Sequence, residues 1–184
     1  NLAAACKTLV NDSTENAISA ACLQYNFKGE LEIESFFPKL AVIPFDSSRK
    51  SMTIITIINE RPFAIVKGAP EIVIPNCVDC DIDGILKVND EMACDGLRNV
   101  AIAIKRLDEI PANPKAEEIE RDLTFAGILG LKELAREEIY KDINTCRDAN
   151  IKVVMLTGDS LQTALSLAKQ IGLLSDESEA ITGS

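Results

Sequence analysis

Histidine is absent from this chain of 184 residues. That removes the commonest general base and the commonest zinc ligand, so any acid–base or metal chemistry must rest on other side chains. Long apolar runs are missing as well: none approaches the roughly 20 residues that span a bilayer. Positive charge is scarce, with 19 Lys and Arg against 29 Asp and Glu and a net charge of −10. Nucleic acid and anionic lipid surfaces need clustered positive charge, so neither is expected as a general partner. An anionic ligand would have to be held by a few locally placed cations. No signal-peptide pattern opens the chain, since Asn1-Leu2 runs straight into an Ala-rich, helix-like segment. The lack of Met at position 1 leads to the expectation of a fragment of something longer.

What is present suits a folded, soluble protein. The chain is 47% hydrophobic and 26% charged, enough for one good core or two modest ones. Six cysteines without a secretory signal read as reduced cytosolic thiols. Cys77-Val78-Asp79-Cys80 is a lone CxxC with no second pair, too little to specify a metal site.

Along the chain, residues 2–10 have a helical pattern, and Asn11-Asp12-Ser13 supplies cap residues for a second helix. In it Ala17, Ile18, Ala21, Cys22 and Tyr25 share one face. From Leu31 to Val66 the pattern predicts strands: Leu31 and Ile33 alternate with acids, 40–44 is compact and apolar, and 52–58 is rich in β-branched residues. Asn59-Glu60-Arg61-Pro62 turns into Phe63–Val66, predicting an antiparallel hairpin. A loop rich in Asp, a helix ending at Gly96 and a strand over 100–104 follow. Residues 107–120, with Pro111 and Pro114, read as a surface loop. This first part is expected to be α+β with an antiparallel sheet flanked by helices. Beyond about Leu123 the pattern becomes strand–helix–strand–helix, with apolar strands at 125–131 and 153–156 and helices at Ile139–Cys146 and 160–171. Fully apolar strands predict a parallel βαβ unit covered on both faces. The expected domains are 1–122 and 123–184.

Several segments carry chemistry. In Lys67-Gly68-Ala69-Pro70-Glu71 a lysine closes an apolar strand, Gly68 permits close approach, and Pro70 suits the first turn of a helix. A pinned ammonium beside a helix N-terminus suits an anion such as a polyphosphate. In Met155-Leu156-Thr157-Gly158-Asp159-Ser160 a hydroxyl and free N–H groups sit where α/β sheets bind ligands, although a capped strand-to-helix turn accounts for the same residues. Phe45 offers a ring for a purine and Lys50 a contact to its edge or a phosphate, against the plainer reading of a core Phe and a solvated basic turn. Arg98 could serve a phosphate with its forked donors, or be an ordinary surface arginine. Glu15, near a helix start, could accept from an adenine amino group or simply favour the helix dipole.

Taken in order, Ser13–Ala17, Pro44–Met52, Lys67–Glu71, Asp95–Arg98 and Lys152–Asp159 resemble the cytoplasmic region of P-type cation-transporting ATPases, nearest the type II group. The resemblance covers nearly the whole chain. It implies a nucleotide-binding (N) domain at 1–122, followed at 123–184 by part of a haloacid-dehalogenase-like phosphorylation (P) domain. By that resemblance Phe45 would stack on adenine and Glu15 would sit at its edge. Lys50 and Lys67 would line the pocket, with Met52 and Gly68 among its residues, and Arg98 would reach towards the phosphates. Thr157 and Gly158 would help hold the transferred phosphoryl group, with Asp159 shaping their loop. The cofactors implied are ATP and Mg2+, the latter with ligands mostly outside this sequence. The implied partners are the actuator and transmembrane domains of a parent pump, and the implied location is the cytoplasmic side of an integral membrane protein.

The departures are specific. Neither the family's Asp-Lys-Thr-Gly-Thr segment, which holds the phosphorylated aspartate, nor its Gly-Asp-Gly-x-Asn-Asp segment occurs here. Glu133-Leu134-Ala135-Arg136 stands where the family has Asp-Pro-Pro-Arg, and Ser47 where some calcium-pump relatives carry Arg. The expectation is therefore nucleotide binding without turnover. Two other readings stay open: a phosphatase using Asp81 and Thr157, and a regulatory module with an acidic partner-binding surface. Asp81-Ile82-Asp83-Gly84 resembles a phosphatase nucleophile loop but lacks the preceding hydrophobic strand, which predicts an exposed turn.

Overall fold

A computed structural model of the chain describes residues 2–6, 13–24, 30–132, 136, 138–158, 161–174 and 181. Its centre is the hairpin expected from the β-branched runs. Strands β2 (Ser51–Ile58) and β3 (Arg61–Gly68) pair antiparallel from Ile58↔Arg61 to Ser51↔Gly68. Asn59 and Glu60 both take left-handed φ values, 49° and 64°, as a two-residue turn matched to strand twist requires. Strand β1 (Ala41–Asp46) pairs antiparallel with β2, and β5 (Arg98–Arg106) with β3. Strands β6 (Leu123–Leu131) and β4 (Cys77–Val78) complete a six-stranded sheet of order β1-β2-β3-β5-β6-β4. Because β4 runs parallel to β6, the sheet is mixed, not purely antiparallel.

Alternation along β3 sends Ile65 and Lys67 to one face and Ala64 and Val66 to the other. On the first face Cys6, just after helix α1 (Leu2–Ala5), and Glu15 of helix α2 (Ser13–Gln24) meet the strand. The second face packs Val66, Ala101 and Ala103 against Val73 of the short helix α4 (Pro70–Val73), Ile74, Cys77 and Leu123. Ile82, Ile85 and Leu86 of helix α5 (Ile82–Cys94) close over that cluster. Farther along, Ile55 and Ala64 pack on Ile119. Covering on both faces explains why β2 is buried without a break from Ser51 to Thr56 and β3 from Ala64 to Gly68.

Four local expectations are corrected. Residues Glu30–Phe36 form helix α3, not a strand, with Phe37 N–H bonding back to Ile33 C=O at 2.8 Å. Two alternating positions are too few to set a period of two. The segment expected as a surface loop over 107–120 contains a turn of helix, α6 (Ala116–Ile119), held because Ile119 reaches the core. The expected exposed turn at 81–86 is the start of α5. There Asp81 accepts the Gly84 N–H at 3.0 Å as a helix cap. Finally, 153–156 is not a buried strand: Val154 is 74% and Leu156 98% exposed. The described residues 151–157 take part in no strand, and an unpaired segment leaves its backbone groups to water.

The chain divides into two compact units, Asn1–Lys87 with Asn99–Leu129, and Val88–Arg98 with Gly130–Ser184. The second contains helices α7 (Glu138–Asp148) and α8 (Leu161–Gln170), both at the expected positions. Within it the Arg147 guanidinium donates to Gly172 C=O at 2.6 Å, fastening the end of α7 to the turn after α8.

Candidate functional site

The end of β3 concentrates the residues singled out from the sequence. Lys67 is 7% exposed and Glu15 5%. The Lys67 ammonium donates to Glu15 Oε1 at 2.9 Å and to Cys6 C=O at 3.4 Å. Two charges taken from water are tolerated only when paired and hydrogen-bonded, and these are both. Glu15 lies in the first turn of α2, where the helix dipole favours a carboxylate. Met52, 2% exposed, is the cross-strand partner of Lys67, so the apolar lysine stem lies beside an apolar side chain. Burial pushes the neighbouring Cys6 thiol from its usual 9.0 up to about 12, the nearby Lys67 charge opposing that rise.

Gly68 is required by close approach. A Cβ there would stand 2.6 Å from Lys50 C=O and 2.8 Å from Ser51 Cβ. The same carbonyl accepts the Ala69 N–H at 2.9 Å, and Pro70 follows as the first helical residue. The strand end bearing Lys67 is thus stitched to the turn bearing Lys50.

That turn, residues 47–50, is organised by Asp46. Its carboxylate accepts the Ser48 and Arg49 N–H groups, each at 2.9 Å, and the Ser48 hydroxyl. The Ser48 hydroxyl, first, and the Arg49 amide hold the Asp46 carboxyl below the usual carboxylate range. Lys50 takes a left-handed φ of 52°, and its ammonium donates to Glu71 Oε1 at 3.0 Å in an exposed ion pair. Burial alone would raise Glu71, but its own N–H and the Lys50 ammonium outweigh that and hold it low. Phe45 is 59% exposed: it is a ring offered to solvent and not a core residue.

Sequence reasoning missed one residue of this cluster. Glu120, directly after α6, forms an ion pair with Arg49 and accepts the Ser51 and Thr53 hydroxyls at 2.8 and 2.6 Å. No local signal could have revealed it, since its partners lie 67 to 71 positions earlier in the chain.

Arg98, Thr157 and Gly158 lie in the second unit. Arg98 is exposed at the first position of β5. Thr157 and Gly158 are exposed, and a Cβ on Gly158 would meet nothing within 4 Å. Asp159 and Glu133-Leu134-Ala135 lie outside the described residues. Asp81 caps α5 by accepting the Gly84 N–H. Cys77 is a core thiol donating to Val73 C=O at 3.3 Å, pushed by burial, with Cys80 adding to it, up to about 11. Among the described residues no helix is long and apolar enough to cross a membrane.

A family model described as "P-type ATPase, cytoplasmic domain N" matches residues 3–138. Over 94% of its length the chain is 37% identical to a probable cation-transporting P-type ATPase of Mycoplasma pneumoniae, covering 20% of that protein. It is 33% identical to a calcium-transporting ATPase of Bacillus subtilis, with 95% of the chain and 21% of the relative covered. An endoplasmic reticulum calcium ATPase of Aspergillus fumigatus is 32% identical over 82% of the chain and 18% of its own length. The chain spans about a fifth of the length of these relatives. With motif order, sheet and family match in agreement, this chain belongs to the P-type cation-transporting ATPases, and the match over residues 3–138 is to their cytoplasmic N domain.

Proposed function

We propose that the chain binds ATP at the β3 end of its sheet and presents the γ-phosphate to an aspartate outside this sequence, in a pump that moves cations across a membrane. The observation that carries this reading is the juxtaposition of a buried, paired ammonium at Lys67 with an exposed ring at Phe45 and an exposed ammonium at Lys50. An aromatic face takes a purine at little cost in desolvation, and ammonium groups take the edge of the base or an anion. Glu15 fixes the Lys67 ammonium through a hydrogen bond, and the reading assigns it to the adenosine end of the ligand. Phosphate contact then falls to Arg98 and, in the phosphorylation segment, to Thr157, Gly158 and Asp159. In this reading 1–122 is the nucleotide-binding part and 123–184 belongs to the phosphorylation part. Mg2+ bound with ATP would supply charge neutralisation at the phosphates, and no residue of this chain is assigned to hold it. Actuator and transmembrane domains are the partners that such a pump requires.

Isothermal titration of the 184-residue chain with ATP tests the proposal. Saturable binding is expected, with Phe45→Ala weakening it by about tenfold or more, the usual worth of one base-stacking ring. Because the ring is exposed, that variant keeps its fold. No heat and no amide shifts at millimolar ATP would overturn the reading.

A further inference from the structure

The nucleotide reading assigns contacts to Phe45 and Lys50, but neither is shaped by its own segment alone. The turn between them links the edge strand β1 to β2 and includes a left-handed non-glycine residue, Lys50. Such conformations persist where surrounding structure over-determines them. Asp46 holds the solvent side of the turn. On the sheet side the Arg49 guanidinium donates to Pro44 C=O at 2.7 Å, to Ser51 Oγ at 3.1 Å and to Glu120. Arg49 therefore clasps the residues before and after the turn, and Glu120 holds Arg49.

Glu120 is anchored independently of the turn. Ile119 beside it is 5% exposed and packs on Ile55 and Ala64, and the Glu120 N–H closes α6 onto Ala116 C=O at 2.8 Å. Its side chain, only 10% exposed, accepts from three separate groups, which fixes both oxygens. A planar guanidinium against a carboxylate held this way has one preferred orientation.

We propose that Glu120 is a positioning residue for nucleotide binding: through Arg49 it sets the shape of the turn that aims Phe45 and Lys50, without itself touching ligand. The proposal rests on the nucleotide reading above, and its two readouts separate the two ideas.

The test compares wild type, Glu120→Gln, Arg49→Met and the double variant of the 184-residue chain. One readout is ATP affinity. The other is hydrogen exchange of the Ser48 and Arg49 amides, with the β3 amides as a control for global stability. Glu120→Gln keeps the size and one accepting oxygen, which can still take the Thr53 hydroxyl, but it gives up acceptance from Ser51 and removes the charge that orients Arg49. It should weaken ATP binding by about tenfold, the scale of a modest misplacement of contacting groups. It should also speed exchange at Ser48 and Arg49 while β3 stays protected, and the double variant should bind no worse than the weaker single one. If exchange accelerates equally in β3, Glu120 is merely structural and the proposal falls. Unchanged affinity in Glu120→Gln, or additive losses in the double variant, overturns it as well. If wild type binds no ATP the nucleotide reading fails, while local acceleration at Ser48 and Arg49 would still establish control of the turn by Glu120.

Discussion

Two apolar runs of similar appearance meet opposite fates in this chain. In β2 and β3, Ile54, Ile55 and Ile65 are fully buried, whereas in 151–157 Val154 is largely exposed and Leu156 stands almost wholly in solvent. Both runs are β-branched or aliphatic, and both read as buried strands. What separates them is neighbours: β3 has β2 on one side and β5 on the other, while residues 151–157 belong to no element. Burial is therefore conferred by pairing partners, and apolar composition only makes it affordable.

The comparison can be broken most severely at Lys67. Lys67→Ala strands the Glu15 carboxylate in the core and should cost about 3–5 kcal/mol in chemical denaturation. Lys50→Ala, which dissolves an exposed pair, should cost under about 1 kcal/mol. Next comes a matched truncation. Ile65→Ala should lose about 2–5 kcal/mol, whereas Leu156→Ala should change stability by less than about 0.5 kcal/mol. Equal losses would refute the contrast. Alkaline titration gives a third measure. Cys6 rises from 9.0 to about 12, so the native state holds its proton after the unfolded chain has released it. Its contribution is constant below pH 9 and is lost by about 1.4 kcal/mol per pH unit above it. Cys6→Ser should flatten that limb, and a thiol reagent should modify exposed Cys94 well before Cys6. At Asp81→Ala, loss of the α5 cap should lower stability by about 1 kcal/mol.

The parts of this fold legible in the sequence are those set by local chemistry. The β2–β3 hairpin, the Pro70 helix start and the helices at 138–148 and 161–170 follow from periodicity, turn residues and the fixed φ of proline. The reading failed where the deciding partner was remote. Residues 30–36 became a helix although Leu31 and Ile33 suggested alternation. Residues 153–156 form no strand although their apolar run suggested one. The candidate site divides in the same way. Glu15, Lys67, Lys50 and Phe45 are visible individually as residue types in motifs. Their pairing of Lys67 with Glu15, and the hold of Glu120 on Arg49, depend on contacts more than 50 residues apart.

The tip of the hairpin at Asn59–Glu60 offers an experimental handle. Both residues are exposed, and six strand residues separate the turn from Lys67, about 20 Å at 3.4 Å per residue. Their backbone conformation favours Asn-Gly, so Glu60→Gly should tighten the turn while freeing its surface. A fluorophore or surface tether attached at Asn59 would report on the sheet from its far end, leaving the lysine-bearing end open to whatever ligand is offered.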